Sequence, residues 1–311
     1  MQLRAVASVK TDKIWLDGSL LPYERATVHV LTHSLHYGLG VFEGMRCYKT
    51  DDGHLAIFRA REHIRRLFDS ARILEMKIPF TEAELLQACV DTVRANGLGE
   101  CYIRPLVFVG EGEMGVAALN NRTRVAVAAW EWGAYLGEEG VKHGIRVKTS
   151  SFVRFHHNSL LCMAKATGHY VNSILASHEA RHGNYDEALL LDVDGFVSEG
   201  AGENVFFARD GVVTTPPLSS ALPGITRDAV ITILGDAGIT VVQRRFPRDA
   251  IYIADEFFMT GTAAEVTPVR ELDDRRIGSQ TPGPITTQVR ETFIAAMRGR
   301  DPRYRGWLYY V

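Results

Sequence analysis

Short apolar runs that stop at aspartate-glycine pairs recur along this chain, and no other pattern limits its fold so strongly. Residues 13–18 run as a strand into Asp17-Gly18, the runs 41–48 and 54–58 flank Asp51-Asp52-Gly53, and the runs 186–193, 196–198 and 203–208 are punctuated by Asp194-Gly195 and Asp210-Gly211. Aspartate and glycine tolerate the positive φ that a tight hairpin requires, so each pair marks a reversal between strands. Helical periodicity is rarer. Ile64, Leu67, Phe68, Ala71 and Leu74 recur at three- and four-residue steps from Arg61 onward. Thr81 opens a second helix, with Glu84 three residues on to complete a capping box. Further helices are expected over 163–182, with Tyr170, Ile174, Ala176 and Ala180 inward, from Gly224 to about Ala237, and over 284–298. Strands at 101–109 and 122–130 close the first unit, and one at 144–151 opens the second. Many short strands with few helices predict α+β architecture and not one doubly wound sheet. The expected division is a small N-terminal α+β domain over 1–130, a weakly periodic linker over 131–142, and a larger α+β C-terminal domain over 143–311.

The 311 residues suffice for two cores, and 46% hydrophobic with 23% charged residues is ordinary for a soluble globular chain. A formal net charge of -2 gives no electrostatic reason to expect nucleic acid or an anionic membrane as partner. Met1 to Asp17 lacks a continuous apolar run, so neither a signal peptide nor an anchor is expected. No later stretch approaches the roughly 20 apolar residues that span a bilayer. Cys47, Cys89, Cys101 and Cys162 have no paired spacing and read as core residues in a reducing compartment. A cytoplasmic enzyme is the expectation.

Lysine usage gives the first chemical clue. From Ala166 to the C-terminus there are fourteen arginines and no lysine, yet Lys165 sits among Leu160, Leu161, Cys162, Met163, Ala164 and Ala166. Burial disfavours the charged form of an amine and makes it a usable nucleophile toward a carbonyl. A lysine snorkelling from a helix start would read the same way, and composition leaves both open. Ser198 to Asn204 follows the apolar strand Ala188–Leu191 and sets Glu199 beside Gly200 and Gly202, as a flat ligand approaching the backbone would need. A glycine-rich turn with two solvated glutamates is its plain alternative. Pro223 to Asp228 begins a helix, and Thr260 to Glu265 begins a turn. Both offer free backbone N–H groups with a threonine hydroxyl, which suits a phosphate or carboxylate, although simple caps look similar. Two patterns are decoys. Gly110 to Gly115 matches G-x-G-x-x-G, but carries two glutamates and has Asn120-Asn121 where a helix should run. His29, His33 and His36 have ligand-like spacing without a carboxylate or cysteine to join them, and read as structural or substrate-loop residues.

Taken together and in order, these motifs resemble the branched-chain aminotransferases of the fold-type IV pyridoxal-phosphate enzymes. The pieces that carry the resemblance are Leu35 to Gly38, Val41 to Arg46, Arg61 to Leu67, Tyr102 to Pro105, Ala164 to Tyr170 and the three glycine-containing segments, so it runs from the Trp15 strand to Trp307. It implies the two-domain architecture shared with D-amino acid aminotransferases and a pyridoxal 5'-phosphate cofactor bound to Lys165 as a Schiff base. It further implies that Glu199 faces the pyridine nitrogen and that Tyr170, supported by Arg154, bonds the ring hydroxyl. Arg66, the amides of Ile225 and Thr226, and Gly261-Thr262 would hold the phosphate.

The resemblance also implies a ping-pong transfer of the amino group of L-leucine, L-isoleucine or L-valine to 2-oxoglutarate. Tyr102 and the Thr262-Ala263 amides would take the α-carboxylate, and Tyr37, Phe42, Trp132 and Tyr135 would line an apolar side-chain pocket. Met114 and Val116 would reach in from a neighbouring subunit of a homo-oligomer, at least a dimer and by resemblance a trimer of dimers. Arg104 would bind the distal carboxylate of glutamate. Related enzymes acting on D-amino acids or (R)-amines, and aminodeoxychorismate lyases, would retain the lysine and glutamate. Gly40, where the family often has serine, and Phe155-His156-His157 depart from the pattern without touching the expected cofactor contacts.

Overall fold

Asp17 and Gly18 adopt φ of 49° and 98°, and Asp210 and Gly211 adopt 49° and 77°. Two successive positive φ values make the tight hairpin that matches strand twist, so these pairs do reverse the chain. The computed structural model describes residues 9, 11–118, 120–133 and 137–311. Its first half comprises β1 (Lys13–Leu16), β2 (Ser19–Pro22), α1 (His33–Tyr37), β3 (Gly40–Phe42), β4 (Met45–Lys49), β5 (Leu55–Phe58), α2 (Ala60–Ile73), α3 (Glu82–Ala95), β6 (Cys101–Val109) and β7 (Thr123–Trp130). Then follow α4 (Gly137–His143), β8 (Ile145–Thr149), α5 (Tyr170–His182), β9 (Glu187–Leu191), β10 (Val197–Gly200), β11 (Asn204–Arg209), β12 (Val212–Thr215), α6 (Ile225–Asp236) and β13 (Val241–Gln243). The chain ends with α7 (Asp249–Tyr252), β14 (Glu256–Gly261), β15 (Glu265–Leu272), β16 (Arg275–Arg276), α8 (Pro284–Met297) and β17 (Leu308–Tyr310).

Two sheets result. One has the order β17-β5-β4-β6-β7-β1-β2, with β3 also on β6; the other runs β10-β9-β8-β15-β14-β11-β12-β13, with β16 on β15. The last strand crosses from the second half of the sequence into the first sheet, pairing Leu308 with Phe58. On the first sheet, Ile64, Leu67 and Ala71 of α2 and Leu85 and Val93 of α3 pack against Met45, Ile103 and Val125. A second apolar cluster joins Tyr48 and Phe58 of the first sheet to Phe206 and Phe258 of the second and to α6 and α8. The two sheets therefore share a core, and the cleft above it is where the candidate residues gather.

Three local expectations need correction. The run 41–48 is not one strand: it breaks at Glu43-Gly44 between β3 and β4. A Cβ on Gly44 would stand 1.7 Å from the Tyr102 hydroxyl, so the strand gives way where that ring crosses it. The helix expected over 163–182 begins only at Tyr170, and Ile174, expected inward, is 49% exposed. The weakly periodic stretch after β7 contains α4.

Candidate active site

Lys165 lies on an irregular segment laid along β3 rather than on a helix. Its amide donates to Ser70 Oγ at 3.0 Å, and its carbonyl accepts from the Phe42 amide at 3.1 Å. Ala166 bridges Val41, and the Thr167 amide donates to the Gly40 carbonyl at 2.8 Å. A Cβ on Gly40 would sit 3.0 Å from the Val107 carbonyl oxygen and 3.1 Å from Thr167 Oγ1, which accounts for glycine there. With its backbone pinned on both sides, the lysine extends into the cleft. Nζ is 2.7 Å from the Tyr170 hydroxyl and 5.0 Å from the centre of the Phe42 ring.

The second sheet supplies the facing wall. Glu199 leaves β10 buried, with Oε2 accepting from the Leu222 amide at 2.9 Å. Its Oε1 is 2.7 Å from Arg154 Nε, a close charge pair in which the N–H is not aimed as a hydrogen bond. Arg154 thus stands against Glu199, where it was expected to support Tyr170. It also lies 4.0 Å over the ring of Phe155, so one departure from the family pattern does touch a residue expected near the cofactor.

On the same wall α6 follows Gly224, which provides no side-chain cap. The N–H groups of its first turn are left without protein acceptors, which favours an anion there. Thr260 Oγ1 is buried nearby without a partner. A single cavity is lined by Arg66, Arg154, Lys165, Tyr170, Glu199, Ile225, Thr226, Gly261 and Thr262. Every residue expected to contact the cofactor is on its wall. A buried carboxylate, a lysine with a tyrosine, and an uncapped helix start with a guanidinium, all on one cavity wall, fit a flat aromatic ring bearing a phosphate.

A second cavity shares Lys165, Tyr170 and Thr262 with the first and adds Phe42, Tyr102, Arg104, Trp132 and Ala263. Tyr102 packs edge-on against Trp132 at 4.6 Å between ring centres. Arg104 lies over Phe42, Tyr102 and Trp130 at 4.7, 5.2 and 5.8 Å. The expected substrate contacts Tyr37, Met114 and Val116 are on neither wall, and their side chains are 44%, 45% and 92% exposed. Tyr135 lies outside the described residues.

Sequence reasoning passed over three buried groups at this site. Glu203 lines both cavities, and burial, reinforced by Glu187 and Glu199, pushes its carboxyl well up. His169 lines the first cavity with Nδ1 unpartnered; burial and then the Arg154 charge lower it to about 4. Glu43 is fully buried behind Arg66. Glu203 belongs to the glycine-rich segment whose plain alternative is two solvated glutamates, and its burial goes against that alternative. The decoys have local structural roles. Asn121 plugs the Gly110–Gly115 loop, exchanging bonds with the Glu113 amide and carbonyl at 2.7 and 2.8 Å. His33 and His36 reach the Gly115 and Val30 carbonyls, each at 2.9 Å, and His29 accepts from the Leu31 amide at 3.1 Å.

Fold and cleft together define an aminotransferase of class IV: the chain belongs to that family, whose model matches residues 40–272. Members of the family depend on pyridoxal phosphate. Among its relatives, the branched-chain-amino-acid aminotransferase of Pseudomonas aeruginosa is 49% identical over 294 residues, covering 94% of this chain and 95% of its own. That of Escherichia coli is 47% identical over 304 residues, or 97% and 98% of the two chains. The T.th. branched-chain amino acid aminotransferase, solved with pyridoxamine 5'-phosphate, superposes with a TM-score of 0.94 at 52% identity, over 97% of this chain and 99% of that one. Within class IV the chain stands with the branched-chain-amino-acid aminotransferases.

Proposed function

We propose that this protein transfers the amino group of L-leucine, L-isoleucine or L-valine to 2-oxoglutarate in two half-reactions at the cleft between the sheets. The observation that carries the reading is the single cavity walled by Lys165, Glu199 and the uncapped start of α6. Bound there, pyridoxal phosphate supplies an electron-withdrawing ring that stabilises negative charge at the substrate's Cα. Glu199 holds a proton on the ring nitrogen, and Tyr170 bonds the ring hydroxyl. The phosphate is held by Arg66, the Ile225 and Thr226 amides, and Gly261-Thr262. Lys165 would anchor the cofactor covalently, and its free amine would serve as the base for the proton on Cα. Tyr170, 2.7 Å from Nζ, keeps that amine in place between the two cavities. Tyr102 and the Thr262-Ala263 amides take the α-carboxylate, while Phe42 and Trp132, with Tyr37 and Tyr135, exclude water from an aliphatic side chain.

Further parts of the reading concern the molecule as a whole. The units 1–130 and 143–311 act as two domains joined by 131–142, with the second returning β17 to the first. The enzyme works in the cytoplasm; no helix among the described residues is long and apolar enough to cross a membrane. It assembles as a homo-oligomer in which Met114 and Val116 complete a neighbour's pocket. Purified enzyme given L-leucine and 2-oxoglutarate should form glutamate. Lys165→Ala should lower turnover by several orders of magnitude, because it removes both anchor and base. Wild-type rates in that variant would sink the assignment.

A further inference from the structure

Arg66 enters the phosphate end of the cavity already engaged. Its Nε donates to Glu43 Oε1 at 2.6 Å and its Nη2 to Glu43 Oε2 at 2.9 Å, while Nη1 donates to the Pro223 carbonyl at 2.8 Å. A guanidinium has five N–H groups, so one donor on each terminal nitrogen is left over. Two such donors make a fork that grips two oxygens of a phosphate. Which edge of the guanidinium faces the cavity is therefore decided by what occupies the other edge, and that occupant is Glu43.

Glu43 is itself held. Its side chain is fully buried, and Oε2 also accepts from His63 Nδ1 at 2.7 Å. His63 lies one turn before Arg66 on α2, so carboxylate, imidazole and guanidinium form one unit on one helix face. Burial would push the Glu43 carboxyl up, but Arg66 and His63 outweigh it and hold the group well below the usual carboxylate range. Burial also pushes the His63 imidazole down, against the pull of the Glu43 carboxylate that faces its Nδ1. The break between β3 and β4 turns Glu43 inward, so the irregularity at Glu43-Gly44 has a purpose at the site.

We propose that Glu43, braced by His63, is a positioning residue that aims the free edge of Arg66 at the cofactor phosphate. The proposal rests on the phosphate assignment made above. It also makes a prediction opposite in sign to simple electrostatics. Removing an anion close to a bound phosphate should tighten binding if charge alone matters. If aim matters more, removing Glu43 should weaken it.

The test compares apo-enzyme binding of pyridoxal phosphate with binding of pyridoxal, which lacks the phosphate. Glu43→Gln should weaken pyridoxal phosphate about tenfold or more, the effect of one misdirected charged hydrogen-bonded contact. Pyridoxal affinity should change by less than about threefold. In an Arg66→Lys background the Glu43→Gln effect should largely disappear, since the carboxylate acts through the guanidinium. Glu43→Asp keeps the charge but withdraws it, and should show the same selective loss if Glu43→Gln does not fold. Tighter phosphate binding, unchanged binding, or equal losses for both ligands would overturn the proposal. A wild-type protein that bound neither ligand would overturn the cofactor assignment itself, which is a separate failure.

Discussion

Arg104 has no acidic partner among the described residues. It lies over three aromatic rings, donates only to the Tyr102 hydroxyl at 3.2 Å, and its Nε is buried and unpaired. Such a guanidinium is costly unless it receives a carboxylate, and the distal carboxylate of 2-oxoglutarate would fill that role. Arg104→Ala should therefore raise the KM for 2-oxoglutarate sharply, by a loss on the order of 2–5 kcal/mol. The single-turnover half-reaction with L-leucine should change far less. Equal losses for both substrates would mark the arginine as structural. Glu187 supplies a pH test at the same scale. Its Oε1 accepts from the Ala188 amide at 2.7 Å, but Oε2 is buried without a partner, and burial raises the carboxyl from 4.5 to about 7. The folded state holds this proton more tightly than the unfolded state, so the stability it contributes is complete below pH 4.5 and is lost as pH rises through about 7. Glu187→Gln should melt near wild type at about pH 4.5 and increasingly above it toward about pH 7, by roughly 1–3 kcal/mol, before levelling off. A difference that did not vary with pH would refute this. The absence of lysine beyond Lys165 draws the eye to that residue, but composition leaves a snorkelling side chain open, and only the family resemblance assigns it a role. Glu43 gives no such signal, because a carboxylate in an apolar run reads as the solvent-facing member of a strand.

Elements were legible where one rule governs them. Thr81 caps α3 with both bonds of the capping box, at 3.2 Å from the Glu84 amide and 2.7 Å to the Glu84 carboxylate. The α2, α6 and α8 boundaries fall within a residue or two of the expected ones, since α6 follows Pro223-Gly224 and α8 begins on Pro284 after Gly283. The start of α5 was misread because two constraints compete there. Cys162, Ala164 and Ala166 are buried in alternation, as in an extended strand, but Leu161 before them and Met163 among them are also apolar and are 47% and 54% exposed. That hides the two-residue period that would have distinguished the segment from a helix. Gly168 adds a constraint no periodicity reveals: a Cβ there would lie 3.1 Å from the Gly38 carbonyl oxygen. Close packing of these two glycines lets the lysine segment lie along β3. The break at Gly44 has the same origin, a contact between residues far apart in sequence.

At the scale of the molecule, the exposed apolar side chains are the unexplained feature. His33 joins α1 to the Gly110–Gly115 loop through bonds at 2.9 and 3.1 Å, so the apolar residues on these two segments belong to one face. That face shows Val30, Leu35, Tyr37, Met114 and Val116, of which Val116 is 92% and Leu35 63% exposed. Exposed apolar residues gathered on one face mark a protein contact. On the function proposed above the contact is a second copy, because Met114 and Val116 lie on neither cavity of their own chain and are assigned there to a neighbour's pocket. Active enzyme should then sediment as a dimer or larger, and as a hexamer if the family's trimer of dimers is followed. Val116→Asp separates the alternatives. On an isolated chain a substitution at so exposed a position should shift stability by no more than about 0.5 kcal/mol and leave kinetics alone. At an interface that walls a neighbour's pocket, it buries an unpaired charge, so it should raise the KM for L-leucine and loosen the assembly together. Active wild-type monomers, or a Val116→Asp enzyme unchanged in both mass and KM, would show that the pocket is complete within one chain.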